Sequence, residues 1–422
     1  MIFLRRYIGD FYSFRQIVYL LFILALMTVS CDFFFHVNIP RSYADATIKA
    51  FCLLLLAFLI VKRPRGPQYH FSKLVLLFSF LPFLSIINSL LIFNQGIRSG
   101  FVATLPSCIW LFYFVLHYFN VKEDTILRAF LLCGLFIVAV QIIQQYTYPD
   151  AVFGVFTEDV SIEKNLNGEI ARQRNGLWRF NMNNNMYYTA PFLFAAWLWL
   201  KKRFDARLLI IIALFLVSTY LTLTRQVMAA MVLTLVISVL FGTKRKKWKM
   251  ILFVLTLLWG AYEFYDQLFA SLAVQTEEDS LGARLFAFEY FGKESLHSVS
   301  TFLFGYGDPS GGSAFSEYVR RLAKELKCYA SDVGFVGMTW RYGILYVLSS
   351  FYFLFLLFYK MRRVVPGYIR LFVLFVTIMS IMIFPLGVAP ARNIMWPLLL
   401  YIIDLHINQS PLALPTTDSS QL

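Results

Sequence analysis

The stretch Phe71-Ser-Lys-Leu-Val-Leu-Leu-Phe-Ser-Phe-Leu-Pro-Phe-Leu-Ser-Ile-Ile-Asn-Ser-Leu-Leu-Ile-Phe93 carries no charge after Lys73. About 20 consecutive, mostly apolar residues are needed for a helix to cross a bilayer, and this segment meets that length. Working outward, comparable runs recur at approximately 17–36, 46–61, 71–93, 100–119, 126–148, 186–200, 207–223, 226–241, 250–268, 333–358, 369–388 and 392–406. The sequence therefore predicts an all-α polytopic membrane protein. Residues 1–422 form a single integral membrane domain of about twelve transmembrane helices, with two long outer loops containing short helices.

Composition supports this reading. Apolar residues make up 59% of the 422, charged residues 15%, and the mean hydropathy is +0.65. A water-facing surface takes about a quarter charged residues, more than this chain has. The 45 Phe and 24 Tyr suit bundle cores and headgroup boundaries. The net charge of +14 falls in short clusters between apolar runs, which is a topogenic pattern and argues against nucleic acid as a partner. Arg5, Arg6 and Arg15 precede an apolar stretch that reads as a first membrane helix, without a small-residue cleavage site after it.

Lys and Arg fix an orientation. With the N-terminus inside, the cytoplasmic segments hold Arg5, Arg6 and Arg15; Lys62, Arg63, Arg65 and Lys73; Lys122 and Arg128; Lys201, Lys202, Arg203 and Arg207; Lys244 to Lys249; and Lys360, Arg362, Arg363 and Arg370. The short outer connections hold only Arg41, Lys49, Arg98, Arg225 and Arg392. The positive-inside rule then puts both termini in the cytoplasm. Two long segments, 149–185 and 269–332, fall outside. The second holds two helical patterns, one with Leu281, Leu285, Phe288 and Phe291 in a stripe, the other with Phe315, Val319, Leu322 and Leu326. Asp279 or Ser280 would cap the first. Between them, Gly305-Tyr-Gly-Asp-Pro-Ser-Gly-Gly312 reads as a flexible turn.

Several outer residues could carry chemistry. Arg284 falls within the first stripe, where an unpaired charge is expensive, so it faces an anionic ligand, snorkels to the interface or pairs with a loop carboxylate. Arg225 sits in the outer turn Thr222-Leu-Thr-Arg-Gln226, where a guanidinium can hold phosphate oxygens or serve as an anchor. Arg172, Arg174 and Arg179 cluster before Asn181-Met-Asn-Asn-Asn185, a mixture suited to phosphate and sugar hydroxyls, and equally to a solvated loop. Asp332 precedes a membrane helix as a candidate general base or N-cap. Arg341 lies about two turns into that helix and needs a partner or a water-filled cavity.

His297 reads as an ordinary loop residue. Cys31, Cys52, Cys108, Cys133 and Cys328 form neither a metal-ligand spacing nor a disulfide framework. Walker, HExxH and GxSxG signatures are absent, and outer acidic residues are sparse. An enzyme built this way would work without metal or other cofactor, using arginines to stabilise a leaving phosphate.

Four segments together resemble the O-antigen ligase and polymerase superfamily, most closely the Wzy-type polymerases. They are Thr222-Leu-Thr-Arg225 with Ala229-Ala230; Gly282-Ala-Arg284 followed by Leu303-Phe-Gly-Tyr-Gly307; Arg174-Asn-Gly-Leu-Trp-Arg-Phe-Asn-Met-Asn183; and Asp332-Val-Gly-Phe335 with Arg341-Tyr-Gly343. The likeness spans approximately 120–405. It implies a glycosyltransferase of lipopolysaccharide or related polysaccharide biosynthesis in the bacterial inner membrane. The enzyme would polymerise undecaprenyl-diphosphate-linked oligosaccharide repeats at the periplasmic face.

On that model Arg225 and Arg284 hold the departing diphosphate, and Arg174 orients the glycan. The bilayer and the lipid-linked oligosaccharide are the partners, and a chain-length regulator is a candidate third. Ligases of the superfamily typically carry His where Ser331-Asp332 stands, which favours a polymerase over transfer to lipid A-core. A lipid-linked glycan flippase or secondary transporter is the reading from a different class.

Overall fold

The computed structural model describes residues 14–30, 41–64, 66, 69–148, 171–174, 177–180, 185–201, 206–221, 225–240, 277–326, 328–361, 363–381, 386 and 393–409. The expected span at 250–268 lies outside the described residues, as do 149–170 and 269–276 of the two loops and most of 382–392.

Helices dominate the described chain. By length and composition four helical stretches suffice to cross a membrane: Ser72–Phe93, Ile97–Phe119, Glu123–Thr147 and Gly334–Tyr359, the last of them broken at Gly343. Phe14–Ser30, Leu208–Leu221, Val227–Ile237 and Gly367–Met379 are shorter apolar helices. Exposed apolar side chains such as Leu21, Leu91 and Leu348 stud their outward surfaces. Water disfavours such surfaces and lipid does not. The architecture is that of an α-helical membrane protein.

In chain order the elements are α1 (Phe14–Ser30), α2 (Arg41–Lys62), α3 (Ser72–Phe80), α4 (Ser85–Phe93), α5 (Ile97–Thr104), α6 (Phe112–Phe119), α7 (Glu123–Thr147), α8 (Asn185–Lys201), α9 (Ala206–Leu221), α10 (Arg225–Leu240), α11 (Glu277–Ser295), α12 (Val299–Phe304), α13 (Ala314–Glu325), α14 (Gly334–Phe355), α15 (Gly367–Met379) and α16 (Met395–Gln409). Short 3-10 turns, each opened by a proline, join α3 to α4 at Pro82 and α5 to α6 at Pro106. Proline lacks the N–H that would continue the ladder, so both spans bend there. Ser107 Oγ donates to the Ser79 carbonyl at 2.8 Å, tying the two bends together. The core is aromatic: Phe78 stacks on Trp110 at 4.7 Å, and Trp110 stacks on Trp396 at 6.4 Å.

Buried polar side chains anchor α16. Tyr113 donates to the Asp404 carboxylate, and His117 Nε2 lies 3.1 Å from the same oxygen. Glu123 receives Tyr368 Oη at 2.7 Å and pairs with His406 Nε2 at 2.9 Å. A charged side chain taken out of water needs such partners.

Connectivity fixes which loops share an end. The spans Ser72–Phe93, Ile97–Phe119 and Glu123–Thr147 follow one another through short turns, so residues 93–97 and residue 147 lie at one end of the bundle. That end carries the first long loop. Its described part is a two-stranded ribbon, with β1 (Ala171–Arg174) paired antiparallel to β2 (Leu177–Phe180), while the short helices expected elsewhere in the loop fall outside the described residues. The dipeptide Asn175-Gly176, which lies between the strands, is the sequence signal for such a ribbon. Gln145 near the end of α7 secures it, donating to the Trp178 carbonyl at 2.6 Å and accepting from Trp178 N at 2.9 Å.

Candidate functional site

The second long loop does not rest on the bundle as a flexible turn; part of it is built into the bundle. Gly343 interrupts α14 with φ 81° and ψ 168°. Its two halves fold back on each other, so that Phe335 and Phe351 bring their ring centroids within 6.3 Å. Sixteen residues of straight helix would separate them by about 24 Å. The break frees two carbonyls, and the loop satisfies both. Tyr306 N donates to Trp340 O at 2.8 Å and Gly307 N donates to Arg341 O at 2.7 Å.

Only glycine permits this contact. Gly305 has φ 71° and ψ −174°, a region that L side chains avoid. A Cβ there would sit 2.4 Å from the Arg341 carbonyl, and one on Gly343 would sit 2.0 Å from Leu303 O. Gly307 packs on Ser85, at the end of α4 remote from Phe93, so the loop enters the bundle. Asn88 then pins it, its amide donating to Gly305 O at 2.7 Å and Ser300 O at 3.0 Å. Gln95 donates to Asp308 O at 2.9 Å and accepts from Ser310 N and Ser313 Oγ, both at 2.9 Å. Irregular backbone within a membrane bundle persists where protein buries it or where it lines a cavity.

This insertion delivers Asp308 to Arg341. Arg341 Nε lies 3.5 Å from Asp308 Oδ1. Tyr342 Oη lies 2.6 Å from both carboxylate oxygens and donates to them. The Asp308 side chain is 11% exposed and that of Arg341 28%. Burial pushes the Asp308 carboxyl above its usual range, while Arg341 and Tyr342 pull the other way and offset only part of the rise. Arg341 thus has the partner that its position required. Its guanidinium carries five N–H donors, more than one carboxylate fills.

Above the insertion, the loop builds its own apolar core from Ala287, Phe291, Tyr306, Phe315, Leu322, Cys328, Val333 and Trp340. Phe93 stacks on Phe315 at 4.3 Å and joins this core to the end of α4. α13 follows the expected stripe through Phe315 and Leu322, with Ser313 as its N-cap. α11 departs from expectation. It begins at Glu277, so Asp279 and Ser280 lie inside it, and it buries Ala287 and Phe291. Leu285, Phe286 and Phe288 remain 64%, 44% and 48% exposed. Arg284, also exposed, neighbours these apolar residues along α11.

The remaining sequence candidates are placed as follows. Asp332 ends a 3-10 turn and accepts from Ser331 Oγ at 3.2 Å; α14 has no side-chain N-cap. Arg225 opens α10, and its side chain lies outside the described atoms, as do those of Arg172, Arg174 and Arg179. The ribbon register pairs Arg172 with Arg179, and Arg174 lies two residues along, so the three positions share one face. Trp178, on the other face, packs against Tyr148 at 4.3 Å. Among the described residues no group of three or more His, Cys, Asp or Glu could hold a metal ion. The sequence reading missed Asp308, Asn88 and Gln95. In the sequence Asp308 lies within a Gly-rich turn pattern, and the two amides lie within or beside an apolar span.

No protein-family model matches the chain, and comparison with curated proteins finds no match.

Proposed function

We propose that the protein is a membrane glycosyltransferase that polymerises undecaprenyl-diphosphate-linked oligosaccharide repeats at the periplasmic face of the bacterial inner membrane. On this reading the bundle has about twelve spans, with both termini cytoplasmic. The observation that carries it is the arrangement at one end of the bundle. There Arg341 is held beside Asp308 within the insertion, and Arg284 stands next to exposed Leu285, Phe286 and Phe288. A lipid-linked diphosphate is itself a charged head on an apolar chain, and cations over an apolar surface complement it.

Arg284 and Arg225 stabilise the diphosphate as the glycosidic bond breaks. Arg172, Arg174, Arg179 and Arg341 add further contacts to the substrate, and no metal or other cofactor takes part. Segments that the family likeness picked out separately, Leu303–Gly307 and Arg341–Gly343, pack together, which supports reading them as one site.

Purified protein in liposomes, supplied with a synthetic lipid-linked repeat, should yield a ladder of longer lipid-linked glycans. Absence of a ladder under conditions where the protein stays folded would refute the reading. Transfer to a lipid A-core acceptor without a ladder would make it a ligase.

One observation favours a second class. Broken helices with polar pairs inside the bundle are how secondary transporters build their sites, and α14 with Arg341 and Asp308 has that form. Substrate movement across the liposome membrane without new glycosidic bonds would select that reading.

A further inference from the structure

We propose that Asp308 is the general base of the transfer, an inference that rests on the polymerase reading. The sequence points to Asp332, but its surroundings do not favour it. Asp332 sits on a 3-10 turn and meets the hydroxyl of its neighbour Ser331. Asp308 is different in three respects.

First, its carboxylate is oriented. Tyr342 donates to both oxygens, and the backbone carbonyl of Asp308 is fixed by Gln95. A base must be held within reach of the proton it removes, and these bonds define where it points. Second, it lies next to a cation that one carboxylate does not saturate. Arg341 can hold an oxyanion of the donor while its Nε side keeps Asp308 in place. Acceptor hydroxyl and departing diphosphate are then addressed by neighbouring groups. Third, the site is mostly closed to water, with the Asp308 side chain 11% and the Arg341 side chain 28% exposed. Burial raises the proton affinity of the carboxyl, the direction a general base requires.

The step balances. The acceptor sugar hydroxyl gives its proton to Asp308, and its oxygen forms a bond to the anomeric carbon of the donor. The bond from that carbon to the diphosphate oxygen breaks, and its electron pair leaves with the polyprenyl diphosphate. Asp308 then returns the proton to water. Asp308 is a catalytic residue on this account, and Tyr342 is a positioning residue.

The charged and titratable groups that face Asp308 are Arg341, Tyr342 and Tyr346. Tyr342 stabilises the ionised carboxylate, so its removal makes Asp308 harder to ionise. A base works only when deprotonated, so the acid limb of the rate profile moves to higher pH.

The test uses the full-length protein in liposomes with a synthetic lipid-linked repeat, and D308N, Y342F and wild type are compared. D308N should lose at least about a hundredfold in polymerisation rate while still binding the lipid-linked repeat, the usual scale for losing a general base. Y342F should keep activity at high pH with its acid limb shifted upward. If D308N does not fold, the Y342F profile decides. A D308N protein that polymerises at the wild-type rate, or a Y342F profile that falls uniformly at every pH, overturns the inference and leaves the polymerase reading standing. A wild-type protein that makes no polymer overturns that reading and the inference with it.

Discussion

Replacing Gly305 with alanine isolates the contact on which the site depends. Gly305 has φ 71° and ψ −174°, and a Cβ there meets Arg341 C, Arg341 O and Tyr342 N, each at 2.4 Å. The backbone conformation alone costs an L residue about 1–3 kcal/mol. Overlap with rigid backbone adds about 1–3 kcal/mol, because no side chain can rotate away. A central value of about 4 kcal/mol corresponds to about a thousandfold in the docking equilibrium of the loop.

The amides of Tyr306 and Gly307 report that equilibrium directly, since they bond to Trp340 O and Arg341 O. Hydrogen exchange of peptides covering 300–312 in lipid nanodiscs should therefore accelerate by about two to three orders of magnitude in G305A. Polymerisation should fall with it as Asp308 leaves Arg341. Gly311 supplies the control, because nothing lies within 4 Å of a Cβ built there. If G305A exchanges as slowly as wild type, or if G311A matches G305A, the close approach does not hold the site and the reasoning fails.

Other consequences can be checked independently. Asn88→Ala removes the donor to Gly305 O and Ser300 O and leaves buried carbonyls unsatisfied, at a cost of about 2–3 kcal/mol. Its thermal unfolding midpoint in detergent should drop by several degrees, and an unchanged midpoint would show that the amide does not fasten the loop. Arg284→Ala or Arg225→Ala should abolish transfer while the protein stays in the membrane, measured as polymer per unit of membrane-extracted protein. Near-normal product from both would remove them from the site. Cys328 is buried, and burial pushes its thiol up to about 11. With the other cysteines replaced, it should react with a maleimide far more slowly at pH 7.5 than a free thiol does, since the thiolate is the nucleophile. Phe315→Ala should speed that reaction by loosening the loop core, and rapid labelling of the parent would contradict the packing described.

The sequence made the helices legible because a membrane span is a statement about length and polarity, and both are local. Phe71–Phe93 declares itself in this way, as do Ile97–Phe119 and Glu123–Thr147. The break in α14 was not legible. Gly343 lies among Trp340, Tyr342, Ile344 and Leu345, and hydropathy does not register a backbone angle. Asn175-Gly176 is a hairpin signal, but a search for apolar runs of membrane length passes over it. The stripe on α11 was legible as a pattern, yet periodicity cannot say which face meets protein and which meets lipid or substrate. Leu285 and Phe288 turned out to lie on the open side. The requirement for a partner at Arg341 was readable from the price of a charge in a span. Its identity as Asp308 was not, because the two are brought together by the tertiary docking of the 305–308 segment on α14 and α4.

The central claim is that this protein lengthens a lipid-linked glycan, and the most direct test is the carbohydrate of cells lacking it. Both the surface glycan and the lipid-linked pool should be resolved by length. The account predicts surface glycan capped with a single repeat and loss of long lipid-linked chains, restored by the wild-type protein and not by D308N. Long lipid-linked polymer accumulating beside a bare acceptor, or single repeats trapped on the cytoplasmic leaflet, would contradict it.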